Sequence, residues 1–364
     1  MILVILLAFI SLMVLVIIHE WGHFILARKF GVRVDEFGVG FPPRLFGKKI
    51  GDTLYSVNLL PFGAFVRIFG EDGQENSPDS FSQKPIWQRS LIVLGGVITF
   101  WITAAILLTV VMGLGANITV SDDENLKDPR VQVAQVASGS PAAISGLMPG
   151  DIIRSIVLPE SDSEPLNVAF PIDKVGQLQS MTQQYKGQVL TLNIERGQES
   201  FKIEIMPRNN PPENEGPMGV ALLRTAIMSY PWYKAPLQGI VATGNMTIAI
   251  IVGWGRALSG VFQGETSGVQ VMGPVGIFST FVQMSQLGAV YFLQFIALIS
   301  VHLALFNILP IPVVDGGRFL FLMIEAVRKR PFPPAIEQKI NLAFFSLLVA
   351  LMVWITFRDV ARLF

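Results

Sequence analysis

Residues Ile17–Phe24 read I-I-H-E-W-G-H-F and lie inside a run that is otherwise apolar from Met1 to Leu26. On a helix, positions i and i+4 share one face, so His19 and His23 can offer two ring nitrogens to one metal ion while Glu20 stays free to act as a base. Ionisable side chains in a lipid-spanning segment are costly and usually mark function. The stretch therefore predicts a zinc-protease motif within a transmembrane helix, and with it proteolysis inside the bilayer.

The composition indicates a membrane protein that also carries soluble mass. Of the 364 residues 51% are hydrophobic and 15% are charged, and the mean hydropathy is +0.53. Lys plus Arg and Asp plus Glu both number 27, so no charge excess favours a nucleic-acid partner. The chain has no Cys, which excludes disulfides and thiolate zinc sites and leaves the three His and the carboxylates as strong metal ligands.

Apolar length predicts about four transmembrane helices. The first segment lacks the basic start and the cleavage site of a signal peptide and is interpreted as a retained span. Three further segments approach the roughly 20 residues that cross the hydrocarbon, namely Ser90–Leu114, Ala289–Leu309 and Leu342–Phe357. Basic residues place the loop between the first two spans, and the segment after the third, in the cytoplasm; they are Arg28, Lys29, Arg33, Arg44, Lys48, Lys49, Lys84, Arg89, Arg328, Lys329 and Arg330.

The region from Asn117 to Arg208 is typical of a small soluble α+β domain on the outer side. Short alternating strands, a Pro149-Gly150-Asp151 turn and a helix near Asp173–Tyr185 are expected, followed by a hairpin around Arg196-Gly197. The string S-G-S-P-A-A-I-S-G-L-M-P-G-D-I-I resembles the central signature of a bacterial PDZ domain, a module that binds extended peptides by strand addition. A folded spacer with an unused groove is the alternative, and the sequence leaves the PDZ ligand unknown.

Two further segments flank the predicted spans. Val34–Ile68 resembles a Gly-kinked β-hairpin that either dips into the membrane, where its edge can pair with substrate backbone, or stays in the cytoplasm. Pro236–Phe262 is apolar but interrupted by Asn245, Gly253, Gly255 and Arg256, and we expect an interfacial helix on the outer side. If it crossed the bilayer instead, the next span would run outward and leave Arg328–Arg330 outside.

A third metal ligand is expected from F-N-I-L-P-I-P-V-V-D-G-G-R-F, where Asp315 follows the third span. Pro310 and Pro312 cannot continue a helix, and Gly316-Gly317 permits a tight backbone path, so irregular structure here can aim a carboxylate at a buried site. The alternative for Asp315 is a cap of the helix that follows. For the two histidines it is a pair of buried, hydrogen-bonded imidazoles, which would leave Glu20 unexplained.

The pairing of H-E-W-G-H with N-I-L-P-I-P-V-V-D-G-G resembles the site-2 protease family, specifically the bacterial intramembrane zinc metalloproteases of the RseP type. G-V-G-F-P-P, L-P-F-G-A-F and G-P-V-G-I at Gly273–Ile277 are also similar to motifs of that family, so the likeness covers nearly the whole chain. The resemblance implies that His19, His23 and Asp315 bind Zn²⁺ and that Glu20 is the general base. It also implies that Asn307 contacts the substrate backbone, an interhelical hydrogen bond being the alternative.

Two polar residues have no part in the motifs. His302, in the third span, is expected to be an ordinary interior imidazole rather than a catalytic group. Glu325 is expected to lie on a solvated helix face, with a supporting role at the metal as the less favoured interpretation.

These observations predict a multi-pass zinc endopeptidase of a bacterial cytoplasmic membrane that cleaves transmembrane segments of other membrane proteins. By resemblance, the substrates are anti-sigma factors or remnant signal peptides. The alternative is a non-proteolytic, metal-binding membrane scaffold that acts through its PDZ-like domain. The predicted order is helix one at 1–29, a membrane-associated hairpin region at 30–89, helix two at 90–116, the outer PDZ-like domain at 117–208, a linker and interfacial helix at 209–288, helix three and the helix after it at 289–330, and helix four with the C-terminus at 331–364.

Overall fold

The computed structural model describes residues 2–71, 75, 77–124, 126, 128–159, 168–197, 199–212, 215–262 and 273–361. Parts of the predicted outer domain and linker, including 160–167 and 263–272, therefore lie outside the described residues. In chain order the elements are α1 (Ile2–Lys29), β1 (Val34–Ile50), β2 (Thr53–Ile68), α2 (Ile86–Leu114), β3 (Ala116–Thr119), β4 (Arg130–Val136), α3 (Pro141–Ile144), β5 (Ile152–Val157), β6 (Ala169–Pro171), α4 (Val175–Gln184), β7 (Leu190–Arg196), β8 (Glu199–Ile205), β9 (Val220–Met228), α5 (Ala235–Phe262), α6 (Pro274–Leu287), α7 (Ala289–Ile308), α8 (Asp315–Arg328) and α9 (Pro334–Ala361).

The chain forms two compact units. A helical unit comprises Met1–Val110, Lys234–Ser285 and Tyr291–Phe364, and a sheet unit comprises Val111–Tyr233 and Gln286–Val290. The helical unit holds the H-E-x-x-H motif and Asp315, so the fold of this unit positions the candidate site.

By length and composition, five helices of the described chain can cross a membrane: Val4–Lys29, Ile86–Leu114, Ala235–Gly260, Ala289–Ile308 and Pro334–Arg358. Each of the four predicted spans overlaps one of them, and the fifth helix, α5, contains Pro236–Phe262. The chain is therefore a multi-pass membrane protein. The count of four spans and the interfacial assignment of Pro236–Phe262 stay predictions.

Helix α5 lies antiparallel to α2. The indole Nε1 of Trp101 donates to the hydroxyl of Thr247 at 3.3 Å, and eight residues away in each helix a Cβ on Gly239 would lie 2.6 Å from the backbone nitrogen of Thr109. After α5, the 14-residue helix α6 turns back onto α7, because Phe281 packs on Phe295 with ring centroids 4.9 Å apart. Because α6 lies between them, α5 and α7 can cross a membrane in the same direction. Arg328–Arg330 can then lie in the cytoplasm even if Pro236–Phe262 crosses, so these basic residues no longer argue against that crossing.

Helices α1 and α2 approach each other closely at two glycines. A Cβ on Gly22 would lie 2.3 Å from the carbonyl oxygen of Gly95, and a Cβ on Gly95 would lie 2.7 Å from the carbonyl oxygen of Gly22. Small residues let helix backbones meet in this way in membrane proteins. The contact brings the face of α1 that carries both histidines against α2.

Strands β1 and β2 form the predicted hairpin, but the ribbon folds on itself. The outer part is a hairpin in which Lys49 pairs with Leu54 and Gly47 with Ser56. The segment 36–39 then pairs with 64–67 on one edge and with 54–57 on the other, so the ribbon forms a small sheet of four segments. Gly40 has a φ of +78° next to this fold, a conformation that favours glycine. Most large apolar side chains of the ribbon are exposed, including Phe46 and Phe62.

The sheet unit is built on the strand order β3-β9-β4-β5-β7-β8, with β6 pairing with β5. The predicted strands, the helix after Asp173 and the hairpin at Arg196-Gly197 are confirmed, and their inward-facing Val, Ile and Leu side chains form one buried core. Strand β9 lies in the range that the sequence assigned to a linker, because its short apolar alternation follows a Pro- and Asn-rich stretch. It completes the sheet between β3 and β4.

The two ends of the longer segment of the sheet unit, Val111–Tyr233, lie side by side. Ala116 of β3 pairs with Met228 of β9, and the backbone nitrogen of Tyr230 donates to the carbonyl of Met112 at 2.9 Å. The unit is thus an insertion whose first and last strands are neighbours.

Candidate metal centre

The two histidines of α1 share one buried face, as their spacing predicts. His19 is 9% exposed and His23 is 7% exposed, and their Nε2 atoms lie 3.4 Å apart. The Nδ1–H of His23 donates to the carbonyl oxygen of Ile92 at 2.8 Å, so its Nε2 keeps a lone pair for a metal. The ring of His19 stacks on Phe100 with centroids 4.6 Å apart and an interplanar angle of 19°. Backbone and ring contacts from α2 therefore fix both imidazoles.

Asp315 reaches the histidines because the chain makes a tight turn between α7 and α8. Helix α7 ends at Ile308, before the two prolines, as predicted. A Cβ on Gly316 would lie 2.2 Å from the carbonyl oxygen of Leu309, and a Cβ on Gly317 would lie 2.2 Å from that of Ile311, so only glycine fits at both positions. The turn places Asp315 at the first residue of α8.

The three side chains form a candidate zinc site. Asp315 Oδ2 lies 3.5 Å from Nε2 of His19 and 3.5 Å from Nε2 of His23, which with the 3.4 Å between the two nitrogens gives a nearly equilateral triangle. Tetrahedral zinc with bonds of about 2.0–2.1 Å needs ligand separations of roughly 3.3 Å. Oδ2 is buried and has no hydrogen-bond donor among the described residues. A carboxylate oxygen and two imidazole nitrogens that converge in this way fit Zn²⁺.

Space for a metal depends on Gly96 of α2. A Cβ at this position would lie 2.4 Å from Nε2 of His23 and 2.5 Å from Nδ1 of His19. Gly96 therefore keeps open the volume between the rings, and a larger residue would push at least one imidazole out of the triangle.

A pocket of about 200 Å³ adjoins the triangle and contains the proposed base. Glu20, His23 and Asp315 all line it, together with Glu71, Arg318, Glu337 and Asn341. A reacting carbonyl and a water molecule in this pocket would lie beside the carboxylate of Glu20 and the candidate ligands His23 and Asp315. That arrangement suits metal-assisted hydrolysis.

Comparison with known proteins agrees with this chemistry. The family model described as peptidase family M50 matches residues 7–351. This chain belongs to peptidase family M50. Members of the family use zinc, and we therefore describe the protein as a zinc metalloprotease.

Individual relatives align with this chain over nearly its whole length. A protein of Clostridium perfringens (strain 13 / Type A), whose name assigns it provisionally to the zinc metalloproteases, is 31% identical over 357 residues, which cover 97% of each chain. The zinc metalloprotease RasP of Shouchella clausii is 26% identical and covers 99% of each chain. The regulator of sigma-W protease RasP of Bacillus subtilis is 26% identical and covers 96% of each chain.

Three polar residues outside the triangle have defined contacts in this M50 member. Asn307 donates its side-chain amide to the carbonyl of Leu303 in its own helix at 2.9 Å, and His302 bonds the carbonyl of Leu298, also at 2.9 Å. Neither lines the pocket beside Glu20. The expectation of a solvated face for Glu325 is wrong. Its carboxylate accepts two bonds from Arg89, at 2.5 and 3.2 Å, and the two side chains are 15% and 11% exposed.

Sequence reasoning did not find the glycines and ion pairs that hold the site. Gly22 stands inside the H-E-W-G-H motif, and Gly95-Gly96 forms a pair of small residues in an apolar helix, which is a usable signal for close packing. The pairs between Arg89 and Glu325 and between Arg318 and Glu71 join residues about 240 positions apart, and nothing local in the sequence indicates them.

Proposed function

We propose that this zinc metalloprotease hydrolyses peptide bonds within membrane-spanning segments of other proteins. His19, His23 and Asp315 are the zinc ligands in this proposal, and Glu20 is the general base. The observation that carries it is the triangle of ligand atoms 3.4–3.5 Å apart on α1 and at the start of α8, in a unit built from helices long and apolar enough to cross a membrane. That setting favours a substrate that is itself embedded in the membrane.

Each residue of the site has a role in hydrolysis. Zinc, when bound, supplies Lewis-acid chemistry that polarises the scissile carbonyl and lowers the pKa of a water molecule. Glu20 takes a proton from the attacking water and later delivers it to the leaving amine. The hydrogen bond from His23 Nδ1 to the carbonyl of Ile92 fixes the ring orientation throughout the reaction.

A peptide bond must leave its helix before it can be cut, because a helical backbone is fully hydrogen-bonded. The folded ribbon β1–β2 provides sheet edges beside α1, and Phe24 of α1 packs on Phe37 and Tyr55 of the ribbon. We assign the ribbon a part in holding substrate as an added strand. Asn307 can also bind substrate if its side-chain amide breaks its hydrogen bond to the carbonyl of Leu303 and donates to the substrate backbone instead.

We assign the sheet unit to the extracytoplasmic side, as a PDZ-like filter that hinders substrates with bulky outer domains. The charge pattern after α1 and α8 supports this orientation in the cytoplasmic membrane. The substrate class is anti-sigma factors or remnant signal peptides. The name of the Bacillus subtilis relative, regulator of sigma-W protease, supports the first of these.

A membrane-embedded reporter peptide, cleaved by purified enzyme in lipid nanodiscs, tests the proposal. Glu20→Gln should abolish cleavage and keep zinc, whereas a metal-binding scaffold would keep its cellular activity when Glu20 is replaced. A soluble peptide of the same sequence is the control. Cleavage of the soluble peptide at a rate equal to or above that of the embedded one would count against hydrolysis within the membrane.

The filter role has its own test. Thr119 and Thr225 pair across β3 and β9, so removing residues 120–224 and joining these strands by a short turn should preserve the surrounding structure. The shortened enzyme should cleave substrates that still carry a folded outer domain, which the full-length enzyme should reject. If a zinc-loaded deletion enzyme cuts only the truncated substrate, the filter is elsewhere, and the sheet unit is better regarded as a docking module.

A further inference from the structure

Helix α8 presents the third candidate ligand and is fastened to the rest of the helical unit by two ion pairs. Arg318 is three residues after Asp315, and its Nη1 lies 2.6 Å from Oε1 of Glu71. Glu325, ten residues after Asp315, pairs with Arg89 at the start of α2. One pair therefore lies beside the ligand and the other lies near the far end of the same helix.

The pair of Arg318 and Glu71, beside the ligand, restricts the position of the Arg318 guanidinium more than attraction between the charges alone would. Nη2 of Arg318 also donates to the backbone carbonyl of Glu71 at 2.8 Å, and the guanidinium lies over the ring of Phe81 at 5.2 Å from its centroid. Phe81 is 3% exposed, so the surface under the guanidinium is fixed. A planar guanidinium held by a carboxylate, a carbonyl and a ring has few alternative positions.

Backbone packing at Gly316 and Gly317 holds the start of α8 against the preceding turn, but a side-chain cap is missing. No side chain caps its N-terminus at Val314, whose neighbour Val313 has a φ of +88°. A valine in this region of φ is strained and persists only where its surroundings hold it. Arg318 therefore adds the polar side-chain anchor of the first turn of α8, and the carboxylate of Asp315 moves with that turn.

We infer that Arg318, through Glu71, is a positioning residue that sets the place of the Asp315 carboxylate and hence the zinc affinity. This rests on the proposed function only in taking Asp315 as a zinc ligand. Glu71 comes three residues after the end of β2, so the pair also ties the ribbon β1–β2 to the helix that carries the ligand. Arg318 and Glu71 line the same pocket as Glu20 and Asp315.

The experiment measures zinc affinity of the full-length protein in nanodiscs by competition with a chromophoric chelator. Arg318→Ala and Glu71→Gln should each weaken zinc binding by about 10- to 100-fold, the usual cost of removing a group that orients a metal ligand. Arg318→Lys should recover part of that loss, because the ammonium of Lys restores the positive charge but lacks the planar fork with which Arg318 bonds the carboxylate and the backbone carbonyl of Glu71 at the same time. The exchanged pair Arg318→Glu with Glu71→Arg should also recover part of it.

The second ion pair supplies the matched control. Arg89→Ala and Glu325→Gln break a more buried pair on the same helix, and they should lower the thermal midpoint at least as much while changing zinc affinity less than threefold. Equal loss of zinc affinity from both pairs would overturn the inference, since general loosening of α8 would then explain both. Unchanged affinity in Arg318→Ala would overturn it as well.

Failure of the proposed function is separable from failure of this inference. Asp315→Asn, measured in the same assay, tests whether Asp315 binds zinc at all. Cleavage of the embedded reporter tests the intramembrane reaction. If zinc affinity responds to Arg318 but the reporter stays intact, the positioning role holds and the proposed substrate class is wrong.

Discussion

The two units place their apolar side chains in opposite ways. In the sheet unit the large apolar residues are inside, and Val131, Ile153 and Leu190 are 0% exposed. In the helical unit many of them are outside, and the most apolar 18-residue window of α9 has none of its residues buried. The interior of that unit contains apolar clusters and also polar groups, among them His19, His23 and Arg89.

The difference in where the apolar side chains lie indicates the solvent in which each unit is stable. A sheet with a buried apolar core and exposed charges is stable in water, because burial removes apolar surface from water. Exposed Leu and Phe side chains on long helices are favourable only against hydrocarbon, where buried polar groups must find partners within the protein. A hydrolytic site can therefore exist at membrane depth because the surrounding helices supply its polar contacts.

The largest expected effect concerns the chemistry of the helical unit. Glu20→Gln should lower cleavage of an embedded reporter by at least about 10³-fold, since a general base is lost, and should leave zinc content near one ion per chain. Asp315→Asn should lose both cleavage and zinc. Metal analysis and reporter cleavage on the same samples separate the two cases. Full activity with full zinc in Asp315→Asn would show that another group is the third ligand.

The next effect tests packing inside the helical unit. Gly96→Ala puts a methyl group among the imidazoles, where it would lie 2.4 Å from His23 Nε2, so zinc retention should fall by about 10- to 100-fold. Gly253→Ala in α5 is the control, because a Cβ there meets nothing within 4 Å. The two variants are compared by chelator competition. Equal zinc retention would contradict the close approach of α2 to the rings.

A smaller effect should remain within the sheet unit. Asp151 is 0% exposed, and its carboxylate accepts bonds from Arg196 at 2.7 and 2.8 Å; this pairing raises the pKa of Arg196. Asp151→Asn leaves that guanidinium, whose side chain is 31% exposed, without its charged partner and should destabilise the unit by about 1–3 kcal/mol. Hydrogen exchange should accelerate in β5 and β7, while zinc affinity stays unchanged. Loss of zinc in this variant would mean that the units are not independent in stability.

The smallest effect compares two exposed residues of similar type. Ile144 in the sheet unit is 81% exposed and Leu347 in α9 is 62% exposed. Ile144→Ser should change stability by less than about 0.5 kcal/mol, as surface changes in water do. Leu347→Ser should cost about 1 kcal/mol of membrane insertion, because it puts a hydroxyl in hydrocarbon. A glycosylation-based insertion assay and thermal unfolding measure the two values, and equal costs would contradict the contrast between the units.

The sequence predicts what depends on local pattern. The 3.6-residue repeat puts His19 and His23 on one face, and the P-I-P-V-V-D-G-G string indicates a turn that presents Asp315. Features that depend on distant partners could not be predicted in this way. The second pairing of segment 36–39, the return of α6 onto α7 and the bond between Arg89 and Glu325 each require knowledge of which surfaces meet. Strand β9 was missed for the same reason, since its partners β3 and β4 lie about 100 residues earlier.

The distance along the chain between His19 and Asp315 has a consequence for biosynthesis. Helix α1 leaves the ribosome first and carries two of the proposed ligands and the proposed base, but a site of two imidazoles would hold zinc weakly. The third ligand follows only after the sheet unit and helices α5 to α7 have been made, and zinc then links the first helix to the eighth as folding is completed. With this ligand set, a chain truncated before α8 should bind zinc weakly and lack protease activity.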